Sequence, residues 1–258
     1  AEKKLFEISQ NKKRSGFVST AELAAETIKI IENLTTRKMA ITGIASGFKK
    51  LDKMTAGFQN SDLIIIAARP GMGKTSFSLN IVMHAALVHG LKVGFFSLEM
   101  AKEQLMMRML SAKSKLNFGK IRTGFLSDSE FQKTVAAAET LQRANIFIDD
   151  TPALTSLDLR SRTRRLKSDK GIDILIVDYL QLMRGSSRTD NREREIAEIS
   201  LSLKALAKEL QIPIIAISQL SRQTEARTDK KPQLSDLRES GALEQDADMV
   251  IFLHRADA

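Results

Sequence analysis

From about Thr42 onward, short apolar runs alternate with longer segments of helical length. The runs are DLIIIAA at 62–68, KVGFFSL at 92–98, NIFID at 145–149, DILIVD at 173–178, PIIAIS at 213–218 and DMVIFLH at 248–254. Each is rich in β-branched or aromatic residues and apolar at successive positions rather than alternate ones. A strand reads this way when both of its faces are covered, as in a parallel sheet with crossover helices. The segments near 75–89, 101–112, 128–143, 156–168 and 191–210 have suitable lengths for those helices. The pattern predicts one α/β domain with a mostly parallel central sheet flanked by helices, and it contains no internal repeat.

Ahead of this domain the pattern differs. Residues 2–9 (EKKLFEIS) put Leu5, Phe6 and Ile8 on a short apolar face, a helix too small to be stable alone. The polar, basic stretch QNKKRSG at 10–16 reads as a connector. A second helix is expected from Ser19, where Ser19-x-x-Glu22 fits a capping box and Leu23, Ile30, Ile31 and Leu34 supply an apolar face. The expected organisation is a linker helix and connector over 1–18, docking on this domain or on a neighbouring subunit, and one folded domain over 19–258. The chain opens on Ala1 rather than methionine, as a fragment or a processed chain would.

Composition narrows the chemistry. A hydrophobic fraction of 43% suffices for a sizeable core, and 28% charged residues fit an ordinary globular chain rather than a disordered one. The formal charge of +9 points to an acidic partner, nucleic acid first, although some basic proteins have none. With no cysteine, a disulfide framework, a zinc ribbon and a thiolate nucleophile are excluded. His84, His89 and His254 are not spaced as a metal cluster; His84 and His89 share one expected helix as surface or packing residues. Nothing in these residues resembles a signal peptide and no apolar run approaches membrane-spanning length, so a cytoplasmic protein without a membrane partner is expected.

The segment most specific for chemistry is Ala68-Arg69-Pro70-Gly71-Met72-Gly73-Lys74-Thr75, followed by Ser76. It leaves an expected strand and opens an expected helix, the setting a phosphate-binding loop requires. Gly71 and Gly73 let the backbone curl until successive N–H groups face an anion. Lys74 can reach the β- and γ-phosphates of a nucleotide, Thr75 can ligate Mg2+, and the helix N-terminus favours negative charge. Ala68 stands where the strict pattern has its first glycine. A second metal ligand is expected from Asp178, which ends the apolar run ILIVD, although such an aspartate taken alone is more often a cap. Glu99 closes GFFSLE at the carboxyl end of the strand after the loop's helix. There it can deprotonate an attacking water, or it can stabilise the N-terminus of the helix that follows, or both. Gln219 follows PIIAIS at another strand end, where a glutamine can sense a γ-phosphate; position alone does not decide this. Nothing in these residues selects adenine over guanine.

Taken together, ARPGMGKT, FSLEM, ILIVDYLQLM, ISQLSR and SDLRESGALEQDAD resemble the C-terminal motor domain of the DnaB family of bacterial replicative helicases. The resemblance runs over the whole chain, and AEKKLFEISQ is similar to the linker helix by which each family subunit docks on its neighbour. It implies a RecA-like P-loop fold and a homo-hexameric ring with ATP sites at subunit interfaces. It also implies ATP- and Mg2+-dependent 5′→3′ translocation on single-stranded DNA with unwinding of the duplex. On this resemblance Glu99 matches the catalytic base, Asp178 the Walker B aspartate and Gln219 the γ-phosphate sensor. Arg108 is similar to a family arginine near the nucleotide, although arginines on helix surfaces are usually just solvated. A helicase loader and a primase are partners expected of full-length members, working in the cytoplasm at the replication fork. Two rival readings are a RecA-like recombinase that forms filaments without unwinding, and an ATP-binding docking module whose hydrolysis is dispensable.

Two loops are candidates for touching DNA, residues 183–195 and 221–241, both leaving carboxyl ends of strands whose other residues face the nucleotide. The family likeness puts the LRESG loop in the central channel, which makes Arg238, Glu239 and Gly241 the candidates for gripping the phosphate backbone. Either loop could instead be merely solvated. Aromatic residues amount to 5%, with no tryptophan and one tyrosine, so base stacking is a poor candidate for the grip. Backbone contacts would make binding salt-sensitive and independent of sequence. The basic run Arg160, Arg162, Arg164, Arg165 and Lys167 spreads its charge around a helix and reads as surface or subunit contact. On the same likeness a K-x-R-x-G segment with a trans-acting arginine finger would follow Ala258, so this chain alone is expected to hydrolyse ATP weakly and to unwind poorly.

Overall fold

Six strands form the centre of the computed structural model, which describes residues 17–37, 41–185, 192–221 and 231–255, with the side chains of 37 and 238–242 left undescribed. The strands are β1 (Leu63–Ala68), β2 (Val93–Ser97), β3 (Ile146–Asp149), β4 (Ile174–Asp178), β5 (Ile214–Gln219) and β6 (Met249–Phe252), one for each apolar run. Their spatial order is β3-β2-β4-β5-β1-β6, and every neighbouring pair is parallel. β1 is buried at every position, which is why the sequence shows a continuous apolar run there and not an alternating one.

Around it lie α2 (Lys49–Thr55), α3 (Lys74–Val88), α4 (Lys102–Ser114), α5 (Phe118–Thr123), α6 (Asp128–Gln142), α7 (Ser156–Lys170), α8 (Arg192–Leu210) and α9 (Gly241–Asp246). Alternate residues of β1 enter opposite cores. Leu63, Ile65 and Ala67 pack with Leu159 of α7 and Ile196, Ile199 and Leu203 of α8. Ile64 and Ile66 pack with Ile81, Val82 and Ala85 of α3 and with Leu105, Met109 and Leu141 of α4 and α6. Full burial of one such aliphatic side chain is worth about 1.5–3 kcal/mol, so the two cores dominate the stability of the sheet.

Three short helices, α2, α5 and α9, were not legible as periodic segments. Local polar contacts set α2 and α5 instead. Asp52 is buried and accepts from Ser46 N–H (2.7 Å), Ser46 Oγ–H (2.6 Å) and Gly47 N–H (3.2 Å), fixing the entry to α2. Asn117 caps α5 by accepting from Gly119 N–H at 2.7 Å. The basic run on α7 is held in ion pairs. Arg160 and Arg164 both bind Glu209 of α8, Arg162 binds Asp149 at the end of β3, and Arg165 faces Asp169. Much of that charge therefore clamps α7 to its neighbours.

Residues Gly43–Ala258 form one compact unit and Ala1–Thr42 a separate one. In the latter, α1 (Thr20–Arg37) starts as expected, with Glu22 N–H donating to Ser19 Oγ at 3.3 Å. Leu23, Ile30, Ile31 and Leu34 are exposed on it. The apolar segment at 2–9 lies outside the described residues. No described helix is long and apolar enough to cross a membrane.

Candidate nucleotide-binding site

Parallel strands all deliver their carboxyl ends to one edge, and this edge gathers Ala68, Ser97, Asp178 and Gln219. In register, Ala68 lies beside Gln219 and Ser97 beside Asp178. Between β1 and α3 the chain curls sharply. Gly71 and Gly73 adopt φ of 77° and 92°, the left-handed region that other residues enter only with strain. A Cβ added at either would meet nothing within 4 Å, so backbone conformation and not crowding requires glycine there. Met72 N–H donates back to Arg69 O at 3.3 Å and closes the turn. Lys74 and Thr75 are the first residues of α3, where unsatisfied N–H groups and the helix dipole favour an anion.

The cleft over this loop has a volume of about 330 Å³ and is lined by Arg69, Pro70, Gly71, Gly73, Lys74, Thr75, Ser76, Glu99, Met100, Arg108 and Gln219. Lys74 Nζ donates to Ala68 O at 3.2 Å and stands 6.0 Å from the centre of the Tyr179 ring. Burial lowers the Lys74 pKa, against the opposing pull of Asp178 and Glu99. Such an ammonium gains most from a multiply charged anion, because that anion replaces the hydration it has lost.

Asp178 sits beneath the cleft, 1% exposed, and accepts from the Thr75 hydroxyl through Oδ2 at 2.8 Å. Its Oδ1 is buried without a hydrogen-bond partner. Burial pushes its pKa up to about 6; Glu99 adds to the rise, while the Thr75 hydroxyl, Lys74 and Arg108 oppose it. An uncompensated carboxylate oxygen beside a threonine hydroxyl is a hard, all-oxygen donor pair, the type that takes Mg2+. The residues present fit the cation.

Glu99 lies in the turn after β2. Leu98 N–H donates to Asp178 O at 2.7 Å, and Ser97 Oγ–H donates to Met100 O at 2.5 Å, so the turn that carries Glu99 is fixed beside the aspartate. Arg108 reaches the cleft from α4, with its guanidinium 4.8 Å from the centre of the Phe118 ring and its Nε buried without a partner. That placement differs from a merely solvated helix arginine. Ala68 contributes its carbonyl to Lys74, and Met72 contributes the turn but does not line the cleft. The candidate DNA residues fall elsewhere. Arg238 and Glu239 belong to a 3₁₀ turn (Leu234–Ser240) and Gly241 opens α9, but their side chains lie outside the described residues, as do 186–191 and 222–230 of the two loops. Asp236 ties both stems of the second loop, accepting from Ser221 N–H through its carbonyl (3.1 Å) and from Gln233 N–H through Oδ2 (2.7 Å).

Three contacts around the site are not apparent from the sequence. Arg69 Nη1 donates to Leu220 O at 2.8 Å, tying the phosphate loop to the end of β5. The centre of the Tyr179 ring stands 6.0 Å from Lys74 Nζ. Gln181 bonds to Ser218 and to both main-chain groups of Gln219. Gln181 shows itself in the sequence only as a polar residue between two leucines after the strand ILIVD.

A strand–loop–helix phosphate cradle facing a strand-end aspartate, on a sheet of this order, defines a RecA-like P-loop nucleotide-binding domain. The chain belongs to the DnaB-like helicase C terminal domain family, whose model matches residues 43–258. It is 50% identical to the replicative DNA helicase DnaB of Geobacillus stearothermophilus over 258 residues, covering 100% of this chain and 57% of that protein. The replicative DNA helicase DnaC of Bacillus subtilis (strain 168) matches with the same identity and coverage. Among solved structures, an ATPase domain superposes with a TM-score of 0.87 at 39% identity, covering 94% of this chain and 85% of that one. A DnaB-like replicative helicase, described with its interactions with primase, gives 0.84 at 37% identity, covering 100% of this chain and 61% of the other. The chain spans just over half the length of these curated relatives.

Proposed function

We propose that this chain is the ATP-driven motor of a replicative DNA helicase, hydrolysing ATP to move 5′→3′ along single-stranded DNA and open the duplex. The observation that carries the reading is the unpartnered Asp178 Oδ1, buried beside the Thr75 hydroxyl under a cleft that also holds Lys74 and Glu99. Membership of the DnaB-like family supplies the helicase context.

Thr75 and Asp178 would hold Mg2+, which when bound supplies Lewis-acid neutralisation of phosphate charge. The N–H groups of the 71–75 loop cradle the phosphates, and Lys74 leaves Ala68 O to bind the β- and γ-phosphate oxygens. Glu99 orients the attacking water and takes its proton, and Arg108 adds positive charge from α4. Gln219 contacts the γ-phosphate and reports its loss to the segment after β5. Arg238 grips the DNA backbone by charge, with Glu239 and Gly241 contributing backbone N–H groups, giving salt-sensitive binding with little base preference.

The assembly we propose is a homo-hexameric ring with ATP sites at subunit interfaces, served in the cytoplasm by a helicase loader and a primase. Residues 1–18 would be the linker helix and connector that docks on a neighbour, and 19–258 the ATPase domain, of which Gly43–Ala258 is the compact unit. Glu99→Gln tests the reading: hydrolysis should fall at least ~100-fold with nucleotide affinity kept within about threefold. Equal hydrolysis by variant and wild type would remove Glu99 from the chemistry.

A further inference from the structure

β4 and β5 pair only from Leu175–Ile214 to Val177–Ala216, and β4 itself ends one residue later at Asp178. β5 continues to Gln219, still paired on its other side with β1, where Leu220 N–H donates to Ala68 O at 3.2 Å. Successive residues of a parallel strand send their N–H and C=O to opposite neighbours, so the Gln219 N–H and C=O face the side that β4 has vacated. Both would be unsatisfied there, which for buried main-chain groups costs about 1–3 kcal/mol each.

The side chain of Gln181 fills that place. Its Oε1 accepts from Gln219 N–H at 3.2 Å, and its Nε2 donates to Gln219 O at 3.3 Å and to Ser218 Oγ at 2.9 Å. The partners fix the amide orientation, since the N–H needs an acceptor and the C=O a donor. Gln181 itself sits in the 3₁₀ turn Leu180–Leu182, three residues after Asp178. Its carbonyl accepts from Arg192 Nη2 at 2.7 Å at the start of α8, and Arg192 also pairs with Glu195, which accepts from Gly185 N–H at 2.5 Å. Arg69 of the phosphate loop holds the next carbonyl, Leu220 O, at 2.8 Å.

We propose that Gln181 is a positioning residue that acts as a side-chain continuation of β4, setting the Gln219 peptide so that the Gln219 side chain faces the phosphate end of the cleft. The clamp makes the end of β5 move with the turn after Asp178 and with the N-terminus of α8. The proposal rests on the reading of Gln219 as a residue of an ATPase cleft. Ablating the clamp should therefore change turnover more than nucleotide binding, and only where Gln219 is present to be positioned.

The test is steady-state ATP hydrolysis with single-stranded DNA, together with ADP affinity, for wild type, Gln181→Met, Gln219→Ala and the double variant. We expect Gln181→Met to lower kcat about tenfold with KM and ADP affinity within about threefold, and to lower kcat less than about twofold in the Gln219→Ala background. Gln181→Glu is the second variant. It keeps an acceptor for Gln219 N–H, sets a carboxylate oxygen against Gln219 O, and should also lose kcat if Gln181→Met does not fold. Unchanged kcat in the foldable Gln181 variant, or an equal loss with and without Gln219, would overturn the proposal. An active wild type with an unaffected Gln219→Ala would also overturn it while leaving the ATPase reading intact. A wild type without turnover would sink both.

Discussion

Replacing Asp178 by asparagine should flatten part of the pH dependence of folding stability in the nucleotide-free chain. Asp178 is 1% exposed, and its folded-state pKa is pushed up to about 6 by burial, with Glu99 adding and Lys74 and Arg108 opposing. Against an ordinary aspartate near 3.8, about two units correspond to about 3 kcal/mol by which ionisation disfavours the fold. The sign follows from proton counting. Between the two pKa values the folded chain keeps a proton that the unfolded chain has lost, so stability falls as pH rises through this window and levels off above it. From about pH 4.5 to about pH 7.5 the loss from this one group is about 2 kcal/mol. Asparagine keeps the acceptor for the Thr75 hydroxyl but cannot ionise, and other carboxylates contribute alike to both proteins. Urea unfolding across that range should show wild type losing about 2 kcal/mol relative to Asp178→Asn. Parallel profiles would mean that the aspartate is not held ionised against its burial, and the argument for a waiting cation site would lose its electrostatic basis. Saturating Mg2+ with ADP should shrink the difference, because the cation binds the ionised form.

Other expectations are more direct. Lys74→Ala should weaken binding of a slowly hydrolysed ATP analogue at least ~10-fold by titration calorimetry, with melting temperature preserved; unchanged affinity would place the phosphates elsewhere. Ile65→Ala, at a fully buried position of β1, should cost about 2–4 kcal/mol in denaturant unfolding. Thr155→Ala removes the capping box of α7, in which Thr155 Oγ1 accepts from Asp158 N–H at 3.1 Å, and should cost about 1 kcal/mol. Electron microscopy with nucleotide and DNA should show closed rings; filaments would favour a recombinase-like assembly.

Much of the fold was legible because strands covered on both faces write themselves as continuous apolar runs, as β1, β2, β4 and β5 do; the outer strands β3 and β6 are only half-buried yet still carry short apolar runs. The run at 248–254 is longer than the strand it marks, Met249–Phe252, since Leu253 continues the apolar pattern past the last paired position. α2 and α5 escaped because their positions are set by Asp52 and Asn117 through local hydrogen bonds, not by an apolar repeat. The candidate site was legible where chemistry demands a fixed spacing, as in Gly71-Met72-Gly73-Lys74-Thr75. The Gln181 clamp was not, because it depends on where β4 stops relative to β5, a property of register that no local pattern encodes. The arginines of α7 were legible as charge but not as partners of Glu209 and Asp149, which lie 45 and 13 residues away from Arg164 and Arg162.

The central claim is that the cleft over Lys74 and Asp178 turns over ATP to act on DNA. The most direct measurement is phosphate release from ATP with and without Mg2+ and with and without single-stranded DNA, for wild type and Glu99→Gln. Turnover, however slow, should require Mg2+, rise with single-stranded DNA and fall at least ~100-fold in Glu99→Gln. Turnover indifferent to Mg2+, to DNA and to Glu99 would contradict it.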